Sequence, residues 1–136
     1  MIRVYQQKVT IVTSRKPHER TINDELQWFG QSLGLFNLRD RDKSCFRVFI
    51  ELLKSAKRRQ PLSSDELAAR LDLTRGTVIH HINKLMESGI VVYGKKKYLL
   101  RVDNLRSLVD EIEKDIERAC SDLKEVADDI DRRLNL

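Results

Sequence analysis

From Leu105 onward, apolar side chains recur at Val109, Ile112, Ile116, Ala119, Leu123, Val126 and Ile130, with spacings that alternate four and three. This is an unbroken a/d heptad seam, and only an α-helix lines such residues up on one side. A helix over 103–136 would be about 45–50 Å long at about 1.5 Å per residue. A body built from the preceding residues is too small to cover a stripe of that length. The whole seam, Leu105 to Ile130, is therefore expected to pair with a second copy of the chain. A helix folded back across its own domain is the other arrangement the pattern permits.

The charge divides at the same place. The chain has 136 residues and a net charge of +5. Residues 1–102 carry 20 Lys/Arg against 10 Asp/Glu, whereas residues 103–136 carry 6 against 11. A basic body with an acidic tail suits a nucleic-acid binder whose tail points away from the phosphates. The charged share of 35% exceeds the roughly 25% of an average globular domain. No apolar run approaches the roughly 20 residues of a membrane span. The opening "IRVYQQKVTIVTS" is too polar for a signal-peptide core. A soluble protein of the cytoplasm is expected. Cys45 and Cys120 form no CxxC pair, so neither a disulfide framework nor a zinc knuckle is expected.

Three regions follow from local patterning. Residues 1–20 read as an N-terminal strand over 2–13, rich in β-branched residues, followed by a linker. Residues 21–102 read as the folded body. Thr21 and Asp24 open a first helix that Gly34 ends, and Asp42 is placed to cap a second, with Cys45 on its apolar stripe and cations at its end. Ser63 and Glu66 form a capping box for a third helix, and Thr74 caps a fourth that stops at Gly89. "IVVYGKKKYLLRV" reads as a hairpin with lysines at its tip. Residues 103–136 are the long C-terminal helix. The fold class expected is mainly α with a small β component.

The third and fourth helices, joined by "DLT", make a helix-turn-helix. At about 100° per residue, Val78, Ile82, Leu85 and Met86 share the inner face of the fourth helix. Gly76, Thr77, His80, Asn83, Lys84 and Glu87 point outward, with His81 on the flank. Such a helix can enter a major groove and offer donors to bases and phosphates. The expected DNA contacts are Ser64, Thr74, Arg75, Gly76, Thr77, His80, His81 and Lys84, with Lys95, Lys96 and Lys97 on phosphates. His80 is expected at the DNA, and His81 nearer the phosphate wall or the hairpin.

"LSSDELAARLDLTRGTVIHHINKLMESGIVVYGKKKYLLR" resembles the winged helix-turn-helix of prokaryotic transcription regulators, most nearly the ArsR type. The recognition helix of that family commonly reads Thr-Val-Ser-x-His-Leu-x-x-Leu before a Gly and an apolar strand. Thr77, Val78, His81, Ile82, Leu85, Gly89 and Ile90 match it, and Ile79 replaces the serine. The resemblance covers about 40 residues. It implies a homodimeric, sequence-specific, nucleoid-associated regulator of double-stranded DNA. Two readings stand beside it: a protein-interaction module of a larger transcription assembly, and a DNA-organising protein of low specificity.

The metal-binding patterns of ArsR-type sensors do not occur here. Residues 62–73 lack Cys, and residues 103–136 lack His. The adjacent His80 and His81 diverge by about 100° on a helix and cannot easily share an ion. No metal or other cofactor is expected. No nucleophile–base pair or phosphate-binding loop is evident, so the sequence is not read as an enzyme.

Overall fold

A computed structural model describes residues 6–18, 21–36 and 43–136. The elements in chain order are α1 (Ile22–Ser32), α2 (Ser44–Lys57), α3 (Ser64–Leu71), α4 (Arg75–Glu87), β1 (Val91–Gly94), β2 (Lys97–Leu100) and α5 (Leu105–Leu134). The architecture is a winged helix-turn-helix followed by one long helix, mainly α with a small antiparallel sheet.

The ends of the helices are set locally. Thr21 Oγ1 accepts the Asp24 N–H at 3.2 Å to start α1. Ser63 and Glu66 form a complete capping box on α3. Thr74 Oγ1 accepts the Thr77 N–H at 3.1 Å to start α4, and Asn104 caps α5 through the Ser107 N–H at 2.8 Å. Each such cap stabilises a helix by about 1 kcal/mol. The expected cap Asp42 lies outside the described residues. In the structure α2 starts at Ser44, with Lys43 in the left-handed region and no side-chain cap.

Gly89 shows why α4 must stop where it does. Its φ of +84° places its N–H on the Met86 carbonyl and that of Ile90 on the Leu85 carbonyl, both at 3.0 Å. This double closure requires a left-handed residue just past the cap, where glycine carries no Cβ penalty. Gly34, at φ +72°, closes α1 in the same way.

The core lies under α2, α3, α4 and the sheet. Val48, Phe49, Leu52, Leu67, Val78, Ile82 and Leu85 have no exposed surface. The inner edge of α4 is thus the one that the 3.6-residue period predicts. Cys45, 5% exposed, is a small core side chain. β1 and β2 pair antiparallel from Val91↔Leu100 to Gly94↔Lys97. Leu62 adds a single bridge to Tyr98 through hydrogen bonds of 2.9 and 2.7 Å.

Two expectations need correction. The part of the proposed N-terminal strand that is described, residues 6–13, is an arm with no strand pairing. Its donors go to helix ends instead: the Lys8 N–H to the Glu87 carbonyl at 3.0 Å and the Val12 N–H to the Ser32 carbonyl at 2.7 Å. Residues 1–5 lie outside the described residues. The seam of α5 also divides. Ile112 is 4% exposed, and Leu105 and Ile116 pack partly buried against the same core. Leu108, outside the a/d series, is fully buried, whereas Val109 is 41% exposed. The proximal part of the helix therefore covers its own domain. Beyond it Leu123, Val126 and Ile130 stand exposed, as does Ala119.

A buried ionic joint fastens α5 to the body. Asp115 accepts from Arg101 at 2.5 and 3.2 Å and from Gln7 Nε2 at 2.7 Å. Arg118 makes a further short contact to it. The same Gln7 amide donates to the Ser88 carbonyl at 3.3 Å, and the Arg101 N–H to the Ile90 carbonyl at 2.9 Å. Hydrogen bonding from Arg101, helped by Gln7 and by the charges of Arg101 and Arg118, overcomes burial and holds the Asp115 carboxyl at about 2.

Candidate nucleic-acid interface

The turn between α3 and α4 is three residues long. Asp72 takes a left-handed conformation, φ 54° and ψ 47°, which a short polar side chain tolerates better than most. Leu73 turns its N–H to the Ala68 carbonyl at 3.0 Å, and Thr74 begins α4. On α4, Arg75, Gly76, His80, Asn83, Lys84 and Glu87 are exposed, while Thr77, Ile79 and His81 are half-buried. A Cβ added at Gly76 would meet nothing within 4 Å. The start of the helix thus presents nearly bare backbone to the outside.

Adjacent carboxylates on α3 bring the start of α4 and the base of the wing together. Asp65 meets Arg75 at 3.6 Å, and Glu66 meets Lys97 at 3.4 Å. The Tyr98 phenol, pushed up first by burial and then by Tyr93, feels the opposing charge of Arg75. Glu66 is held below the usual carboxylate range, first by the Ser63 backbone N–H, then by the Ser63 hydroxyl, and further by Lys97. Arg75, α3 and β2 therefore form one contiguous polar surface. Both ion pairs are solvent-exposed, where such pairs contribute little and are readily exchanged.

Lys95 and Lys96 occupy the two-residue turn of the hairpin, with φ of 53° and 63°. Among the described residues neither has an ion-pair partner. Lys97 is not at the tip. It opens β2 opposite Gly94 and is engaged by Glu66. Ser64, 8% exposed, is tucked into the domain at the first turn of α3, so burial sets it back from the expected phosphate contact. Thr74 is exposed, with its hydroxyl donating to Thr77 Oγ1 at 2.8 Å. The His80 and His81 rings meet edge-to-face at 5.3 Å. Among the described residues no group of three His, Cys, Asp or Glu side chains is placed to hold a metal ion.

Sequence reasoning missed the arm. Lys8 and Thr10 line a cleft with His80, Asn83 and Lys84, a proximity that depends on long-range contacts. The β-branched run pointed to extended backbone but not to where that backbone would lie.

No helix among the described residues is long and apolar enough to cross a membrane. Comparison with curated proteins and with solved structures gives no match. A family model described as bacterial regulatory protein, arsR family, matches residues 50–93. That span runs from the middle of α2 through α3 and α4 into β1, the segment whose turn, caps and exposed face are described above. Residues 50–93 therefore carry an ArsR-type helix-turn-helix, the domain of a DNA-binding transcription regulator.

Proposed function

We propose that the protein binds DNA sequence-specifically as a homodimer, with α4 in the major groove and the wing tip on phosphates. One observation carries the reading. Asp65 and Glu66 draw Arg75 and Lys97 onto one surface, so the start of α4 and the wing can meet the same duplex. Arg75, Thr77, His80 and Lys84 offer donors along the outward side of α4. Thr74 stands at its entry and His81 on the flank, where a backbone contact is closer than a base. Lys95 and Lys96, without an ion-pair partner among the described residues, supply charge that neutralises phosphates whatever the sequence. Ser64 can contribute only through its position in the first turn of α3, since its side chain is buried.

The second copy is invoked by the distal half of α5. Leu123 is 68% exposed, Val126 58% and Leu134 63%, and they lie on one apolar stripe with Ala119 and Ile130. A paired stripe would bring two α4 helices to half-sites about 34–36 Å apart. The low-specificity reading predicts equal affinity for all duplexes, and the interaction-module reading predicts none that depends on salt.

The test is a titration of the Arg75→Ala/Lys84→Ala protein against a selected site and a scrambled duplex at equal salt. Loss of discrimination by at least tenfold is expected. Unchanged discrimination would mean that another surface reads the sequence.

A further inference from the structure

The arm and the outer face of α4 enclose a cleft of 360 Å³. Its polar lining is Lys8, Thr10, His80, Asn83, Lys84, Glu87 and Ser88. Two lysines, a histidine, an asparagine, a threonine and a serine thus line it together with one glutamate. The arm is held firmly there. The Lys8 N–H bonds to the Glu87 carbonyl, the Val12 N–H to the Ser32 carbonyl, and Gln7 Nε2 to Ser88 and Asp115. At Gly34 a Cβ would lie 2.6 Å from Thr10 Cγ2, so the arm lies directly on the turn that ends α1.

These bonds also prepare the cleft electrostatically. The last carbonyls of a helix carry partial negative charge and disfavour an anion. Here the carbonyls of Glu87 and Ser88 are taken up by the arm's own donors. Glu87 is the one carboxylate of the lining, and Lys8, His80 and Lys84 supply donors that an anion can accept from. A compact tetrahedral oxyanion suits such a set, because each of its oxygens can accept from a separate donor. An apolar ligand would leave the ammonium groups without a partner.

We propose that this cleft is a phosphate seat, and that its phosphate is one of the DNA backbone beside the α4 groove. The inference rests on the DNA-binding reading for the source of the phosphate, but not for the seat itself. Past its first turn a recognition helix rises from the groove floor toward the phosphate wall. The arm therefore adds a backbone clamp to the wing tip, at the other end of the same helix. His80 then serves a phosphate, with Lys8 as its partner across the cleft.

Two measurements on the full chain test this. The first is DNA affinity as a function of salt for the parent, Lys8→Ala and Lys8→Arg proteins. Lys8→Ala is expected to lower the slope of log K against log salt by about 0.9, one phosphate contact. Its affinity for selected and scrambled duplexes should fall by the same factor, and Lys8→Arg should restore most of the slope. The second is a titration of ¹⁵N-labelled protein with inorganic phosphate in the absence of DNA, following the amides around Lys8, His80 and Lys84. A reduced slope with no saturable response to inorganic phosphate supports the DNA backbone as the source. Saturable binding that Lys8→Ala abolishes keeps the seat, and together with an unchanged slope it assigns the seat to a free phosphate instead. An unchanged slope with no response to phosphate overturns the proposal. If the parent shows no salt-dependent DNA binding, the DNA reading fails while the phosphate titration still decides the seat.

Discussion

Lys95 and Lys96 hold a two-residue hairpin turn in which both backbones lie in the left-handed region. Turns of this type favour Asn-Gly, because a Cβ there crowds the following carbonyl. Two lysines in this place cost the hairpin about 1–2 kcal/mol relative to that pair. Nothing within the described residues compensates for them, since neither has an ion-pair partner. Their advantage lies outside the protomer, on a polyanion. Replacing both, Lys95→Asn with Lys96→Gly, is accordingly expected to raise thermal stability while weakening DNA binding. The slope of log K against log salt should fall by about 1.8, two phosphate contacts, equally for all sequences. Melting curves and salt-dependent titrations of the same preparation check both halves. A stabilised wing with an unchanged salt slope would remove the tip from the interface.

At the scale of elements, the joint at Asp115 decides how α5 sits on the domain. A carboxyl near 3.8 in the unfolded chain and about 2 in the folded one stabilises the fold fully at pH above about 4. That contribution drains away as pH falls from about 4 through about 2. It amounts to about 2 kcal/mol, because one pKa unit corresponds to about 1.4 kcal/mol. Asp115→Asn should therefore cost at least about 2 kcal/mol at pH 7 and flatten the acid limb of stability between pH 4 and 2. Denaturant unfolding at a series of pH values measures both. An unchanged acid limb would show that other carboxylates carry it.

This joint was not legible in the sequence, whereas α3 and α4 were. Ser63 with Glu66, Thr74 with Thr77, and Gly89 act within a few residues of each other, so local chemistry fixes the helix ends. The inner edge of α4 follows from the same short period. Gln7, Arg101 and Asp115 meet only through the folded chain, and no spacing announces them. The arm was misread for a related reason: β-branched residues favour extended backbone, but pairing needs an available edge, and the helix ends around Glu87 and Ser32 took the donors first. The seam of α5 announced an apolar stripe without saying what covers it. Ile112 found its cover inside the protomer. Ser64 and Lys97 matched the interface by residue type, while burial and strand register placed one under the surface and the other on Glu66.

For the whole molecule, the deciding contact is the one made by the distal half of α5. Beyond Ile116, the side chains of Ala119, Cys120, Leu123, Val126, Ala127, Ile130 and Leu134 lie in one arc about 120° wide at about 100° per residue. The acidic Asp122 and Asp129 flank the arc on one side, at heptad position g, and the opposite position e holds Cys120, Ala127 and Leu134. Antiparallel pairing would set the acidic flanks against each other, Asp122 near Asp129 of the second copy. Parallel pairing sets each acidic flank beside apolar e residues and avoids like charges in apposition. It also keeps both DNA-reading bodies at one end, as neighbouring half-sites require. The double variant Leu123→Asp/Ile130→Asp should be a monomer by sedimentation. Its melting temperature at low concentration should stay near that of the parent, because these exposed side chains lie beyond the core of their own domain. It should lose at least tenfold in affinity for a two-half-site duplex and little for a single half-site. For polarity, Leu123→Cys in a Cys120→Ser background should cross-link to its own mate under mild oxidation when the helices run parallel. An antiparallel overlap of residues 119–134 places position 123 opposite 130 and leaves that pair unlinked. A parent chain that sediments as a monomer at micromolar concentration with its DNA affinity intact would overturn the pairing altogether.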